Sequence, residues 1–165
     1  MKGSLKAGIF AAVIALGTSG ATRAETRALP PLTVTDLNGK THALPQEWTS
    51  GGVLILGFAH DARGQMDSWR DALKLSPDDH WIEAPIVGNV SGLIQPMIKA
   101  GMKSKYEGAL RGHVTPVFEG ADVIRKTVAP HADVVVLILD GSGQIVGREE
   151  GAPSAAAAEK LRTLR

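Results

Sequence analysis

Two long apolar runs set the strongest limit on how this chain can fold: Val53 to Phe58 (VLILGF), and Asp133 to Leu139 (DVVVLIL), apolar at every residue after its first. A strand with one wet face alternates apolar and polar residues, so a strand apolar at every step needs cover on both faces. Both runs therefore predict inner strands of a sheet with helices on either side. The second run holds four β-branched residues among seven, which suits a pleated surface.

The segments around these runs supply the cover. Leu32 to Thr35 and Thr41 to Leu44 read as short strands joined through Asn38-Gly39, a hairpin-turn dipeptide. Met66, Trp69, Leu73 and Leu75 recur at roughly helical spacing, predicting a helix from Gln65 that ends before Pro77. Trp81 to Val87 (WIEAPIV) reads as another buried strand, although Pro85 cannot donate to a ladder. Leu93 to Tyr106 reads as a helix with Ile94, Met97, Ile98 and Met102 on one packed face and Pro96 in its first turn. Thr115 to Phe118 is a brief extended piece, and Ala121 to Val128 a short helix closed by Pro130. Asp140-Gly141-Ser142-Gly143 turns the chain into Gln144 to Arg148, and Ser154 caps a last helix to Leu164.

None of the 165 residues is cysteine. Disulfides, iron–sulfur clusters, thiolate zinc sites and thiol redox chemistry are excluded, so the core must suffice alone. Only seven residues are aromatic, which leaves Val, Ile, Leu and Ala to fill it.

The N-terminus reads as an export signal. Lys2 and Lys6 precede an apolar stretch, Ala7 to Gly17, and small residues lead to Ala21 or Ala24 as cleavage points. Eleven apolar residues fall short of the ~20 needed to span a bilayer. The expected division is residues 1–24 as signal peptide and 25–165 as one domain, periplasmic or secreted. Cleavage after Ala24 would leave 15 basic and 17 acidic residues. That balance offers no footprint for nucleic acid, and no later segment is suited to span a membrane.

The order of these pieces resembles the thioredoxin-like superfamily, in its periplasmic thioredoxin-like and peroxiredoxin-related branch. Leu29 to Leu44 is similar to its N-terminal hairpin with an Asp-x-x-Gly turn (Asp36 to Gly39), Val53 to Trp69 to its first core strand, active loop and helix, and Val134 to Leu164 to its closing hairpin and helix. The strand–Asp-x-x-Gly–x-Ile ending is also similar to the mitochondrial assembly factors of the ATP synthase Atp-ten family. The resemblance implies an α/β fold: a thioredoxin-like central mixed sheet flanked by helices, with N-terminal and C-terminal β-hairpins.

Where those families carry Cys-x-x-Cys, this chain has Arg63-Gly64-Gln65-Met66. Neither Arg nor Met can enter thiol–disulfide exchange. Where they place a cis-proline, this chain has Ala132, Asp133 and Val134. The resemblance thus implies a redox-inactive protein that binds a partner as an envelope accessory or assembly factor. The contact surface it implies comprises His60, Asp61, Arg63, Gly64, Gln65 and Met66, together with Asp133 and Val134.

Two other classes compete. His60 and Asp61 with Met66, Met97 or Met102 would suit copper or zinc handling, whereas helical spacing of the methionines points to packing. His60 could instead act as a base in a cysteine-independent enzyme, or be an ordinary loop histidine. None of the five histidines shows the spacing of paired helix ligands, and Ser91 lacks a G-x-S-x-G setting. No phosphate-binding fingerprint occurs, and Lys99, Lys103, Lys105 and Arg111 read as a solvated basic face. No cofactor is expected.

Overall fold

A computed structural model of the chain describes residues 28–165. The expected signal peptide, its cleavage points and the boundary at residue 24 lie outside the described residues.

The two apolar runs form the middle of a four-stranded sheet. β3 (Gly52–Gly57) and β5 (Val134–Leu139) pair antiparallel, with Ile55 opposite Val136 and Gly57 opposite Val134. β4 (Trp81–Pro85) lies parallel to β3 on one side, and β6 (Ile145–Glu150) antiparallel to β5 on the other, giving the order β4-β3-β5-β6. All six residues of β3 and of β5 are buried. A second, two-stranded sheet pairs β1 (Leu32–Thr35) with β2 (Thr41–Leu44).

Alternation of side chains then divides the core in two. Val53, Ile55, Val134, Val136 and Ile138 face α1 (Arg63–Leu73) and α4 (Ala155–Arg162). Leu54, Leu56, Val135, Leu137 and Leu139 face α3 (Ala121–Val128) and the N-terminal hairpin with Trp48. Each covering helix turns one stripe inward: Met66, Trp69 and Leu73 from α1, and Ala121, Ile124 and Val128 from α3. α1 ends where Lys74 adopts a left-handed conformation (φ 55°), its N–H bonding the carbonyls of Arg70 and Asp71. Ser154 caps α4 as expected, its side chain accepting from the Ala157 N–H at 3.1 Å.

One helix departs from expectation. α2 spans Gln95–Lys103, shorter than Leu93 to Tyr106, and buries no residue fully. Ile94 is 49% and Met97 73% exposed while Ile98 and Met102 are half-buried, so half of the face predicted to pack is uncovered. Helical periodicity identifies residues that share a face; it does not supply a neighbour to cover them. After α2 the chain makes a 3-10 turn, Gly108–His113, which the sequence did not suggest. The extended piece at Thr115 to Phe118 runs beside β4, with bridges Glu83 to Val114 and Ile86 to Val117.

Candidate functional site: a cleft between the β3–α1 loop and α2

β3 ends at Gly57, and the loop that follows delivers Ala59, His60 and Ala62 to the start of α1. Across from it stands α2, carried out from the sheet by residues 86–94. Between them lies a cleft of about 260 Å3. Ala59, His60, Ala62, Arg63 and Met66 line it from the loop and α1; Ile98, Gly101, Met102, Lys105 and Tyr106 line it from α2 and its exit. Pro85, the last residue of β4, completes the lining. Most of this surface is apolar, and its volume lies just under the ~300–1,000 Å3 usual for small-molecule pockets. It has room for a side chain or two.

The first residue of α1 closes one end. A guanidinium at a helix N-terminus meets the positive end of the dipole, so it gains by turning to other partners. Arg63 places its Cζ 4.5 Å from the Tyr106 ring centroid and donates from Nη2 to the Lys105 carbonyl at 2.6 Å. Asp67, one turn on, lies 3.5 Å from Nε. Arg111 serves the same stretch of backbone, donating from Nε to the carbonyls of Lys103 (3.1 Å) and Tyr106 (3.0 Å). Two arginines thus satisfy carbonyls left open where α2 ends. Arg111 is therefore a structural brace as well as part of the basic face expected from sequence.

Beneath Tyr106 is a buried charge cluster. Glu83 in β4 is completely buried, with Oε1 3.0 Å from Arg70 Nη1. The same Nη1 lies 2.8 Å from Asp67 Oδ1. Glu83 Oε2 has no hydrogen-bond partner. Burial pushes the Glu83 carboxyl up to about 7, against the attraction of Arg70, which pulls it down. Burial, reinforced by Glu83, holds the Tyr106 hydroxyl well above its ordinary value, so the ring stays neutral. Glu83 had a sequence signal: it is the one charged residue in WIEAPIV, a strand expected to be buried. Tyr106, the sole tyrosine, had none.

The structure distributes the expected contact residues unevenly. His60, Arg63 and Met66 meet at the cleft. Asp61 and Gly64 are exposed outside its lining, and Gln65 is half-buried with its Oε1 lacking a partner. Asp133 reaches the loop through its backbone, its carbonyl accepting from the Phe58 N–H at 2.7 Å. Val134 is 0% exposed and packs in the α1 side of the core, so its side chain offers no contact surface. Sequence reading missed Ile98, Gly101, Lys105 and Tyr106, because the α2 wall is joined to the loop only by tertiary structure. Among the described residues, no three His, Asp or Glu side chains group as metal ligands.

A four-stranded mixed sheet covered on both faces, entered by a β-hairpin and closed by a hairpin and helix, defines a thioredoxin-like fold, here without cysteine. Solved structures bear this out. The pneumococcal exposed lipoprotein thioredoxin Etrx1 of Streptococcus pneumoniae superposes over 82% of this chain and all of its own, with TM-score 0.60 and 12% identity. A thiol-disulfide oxidoreductase of Bacteroides fragilis matches over 84% of this chain and all of its own, with TM-score 0.56 and 13% identity. Yeast Sco1 matches over 85% of this chain and 96% of its own, with TM-score 0.55 and 11% identity. No family model matches the chain, and no curated protein matches it in sequence. No helix among the described residues is long and apolar enough to cross a membrane.

Proposed function

We propose that this chain is an exported, redox-inactive thioredoxin-fold protein that holds a protein partner of the cell envelope, as an accessory or assembly factor. One observation carries the reading. Where the resemblance sets the reactive cysteines of thiol-active relatives, this chain has Arg63 and Met66; the arginine is held over Tyr106, the methionine is buried, and an apolar cleft stays open beside them. A scaffold without a nucleophile can recognise a partner and cannot turn it over. Export rests on the N-terminal Lys2–Lys6 and Ala7–Gly17 pattern, and the exposed lipoprotein of S. pneumoniae shares the fold.

The test is site-specific photo-crosslinking in the native envelope, with the reactive group at His60. His60 is exposed on the cleft, whereas Arg63 is committed to Tyr106 and Lys105. One dominant crosslinked protein, absent when the group is moved to Glu159, an exposed α4 residue outside the cleft lining, is expected. Equal crosslinking from both positions would sink the adaptor reading.

A second reading keeps one specific support: His60, Met66 and Met102 line the same cleft, an imidazole with two thioethers suited to a soft metal. Titration with copper(I), read as stoichiometric binding lost in Met102→Leu, would favour it.

A further inference from the structure

Resting on the cleft as a recognition site, we infer that its ligand is a peptide segment carrying a long apolar side chain next to a carboxylate.

The apolar half of the requirement follows from shape. The cleft is a concave, mostly apolar surface of about 260 Å3, room for one large side chain and part of a neighbour. It does not stop at its rim. Going round α2 from Met102 and Ile98, the next positions on the helix surface are Ile94, Gly101 and Met97, then Leu93 just before the helix. Ile94, Met97 and Leu93 are 49%, 73% and 88% exposed. Large apolar side chains left uncovered in a contiguous stripe beside a pocket mark an interaction surface. A peptide lying across α2 would cover the stripe while its anchor enters the cleft. A flat bilayer surface would cover the stripe and leave the concavity empty.

The carboxylate half follows from charge. Every side chain of the lining able to carry charge at neutral pH is a base: His60, Arg63 and Lys105. No aspartate or glutamate lines the cleft. Arg63 is partly answered by Asp67 at 3.5 Å, but Lys105 is exposed and joins no ion pair among the described residues. An apolar cleft with an unanswered cation at its mouth selects a ligand with an anion beside its anchor, and that charge sets specificity more than affinity.

Selection of a random peptide display library on the folded protein tests this whatever the partner's identity. Enriched sequences are expected to place Leu, Met or Phe within two residues of Asp or Glu, or of a free C-terminal carboxylate. Synthesis of the enriched peptides as free acids and as amides separates those two sources. Gly101→Trp should abolish binding, since a Cβ there meets nothing within 4 Å and the helix can carry it unstrained, while the indole would occupy the cleft. Lys105→Glu should weaken the best peptide about tenfold. The same peptide with Asn or Gln for its acid should bind Lys105→Glu and the parent protein equally. Enrichment without an acidic residue, or Lys105→Glu without effect, overturns the carboxylate assignment while leaving the adaptor reading intact. No enrichment, or enriched peptides indifferent to Gly101→Trp, overturns the cleft as a peptide site, as would sedimentation with phosphatidylglycerol vesicles in place of peptide binding. A protein crosslinked at His60 despite such a result would show that the partner meets the rim of the cleft without inserting a peptide, and would leave the adaptor reading standing.

Discussion

The Arg63 guanidinium stands over Tyr106, its Cζ 4.5 Å from the ring centroid, and ties the first turn of α1 to the exit of α2, forty-three residues later in the chain. Its hydrogen bond to the Lys105 carbonyl fixes the same joint from the backbone side. Arg63→Ala removes both contacts. The expected loss is about 1 kcal/mol, the sum of an exposed cation–π contact and one charge-assisted hydrogen bond, less the relief at the helix N-terminus. Hydrogen exchange should quicken around residues 104–110 and stay unchanged in β3 and β5. Unaltered exchange at 104–110 would show that Arg111 alone holds that exit.

Glu83 predicts a pH dependence of opposite sign to that of a surface carboxylate. Folded, its carboxyl titrates near 7 because burial favours the neutral form. Unfolded, it titrates near its ordinary value of about 4.3. Between those two values the folded state holds a proton that the unfolded state has lost. Its contribution is therefore fully present below about 4.3, declines as pH rises to about 7, and is level above. The span corresponds to roughly 3–4 kcal/mol. Glu83→Gln should remove that slope in urea unfolding compared at about pH 5 and about pH 8. A slope retained in the variant would assign the effect to another group.

His42 sits between two carboxylates, its Nδ1 2.7 Å from Glu47 and its Nε2 3.2 Å from Asp36. Asp36 is 3% exposed, and its other oxygen accepts from the Asn38 and Lys40 N–H groups in the β1–β2 turn. His42→Ala leaves one buried carboxylate oxygen without a partner, at a cost of about 2–3 kcal/mol. Chemical denaturation should register that loss, and exchange in β1 and β2 should rise more than in β5. A loss below about 0.5 kcal/mol would mean that water replaces the imidazole.

Arg63→Cys with Met66→Cys tests whether this first turn of α1 still has the geometry of the fold's redox loop. Residues three apart on a helix bring their Cβ atoms to about 5–6 Å, slightly beyond disulfide range, so the turn must close a little. The pair should oxidise in air and lose its reactivity to maleimide until reduced. Loss of Met66, which is 1% exposed, should cost about 2 kcal/mol in the reduced form. Persistent labelling of both thiols after oxidation would remove the match to Cys-x-x-Cys.

The core was largely legible in the sequence. VLILGF and VVVLIL are apolar at every position, and both strands are buried on both faces. The spacing of Met66, Trp69 and Leu73 gave α1 its buried stripe, and the Asn38-Gly39 and Asp140–Gly143 turns appear where their residue types place them. α2 was legible as a helix and misleading as a packed one. Its Met97 has the spacing of a core residue and the exposure of a surface one. The site was half legible: His60, Arg63 and Met66 come from one local stretch, whereas Lys105, Met102 and Tyr106 enter from across the fold.

What the sequence alone determined is chemical and local: with no cysteine there is no thiol chemistry, and the period of the apolar residues sets which elements form and which side each presents. What only tertiary structure decided is adjacency. The exit of α2 meets the start of α1 because both follow strands of one sheet, and the pairing of β4 with β3 brings them to the same end of it. That contact over Tyr106 turns a lone arginine and an uncovered helix into the walls of one cleft, and no periodicity within either segment encodes it.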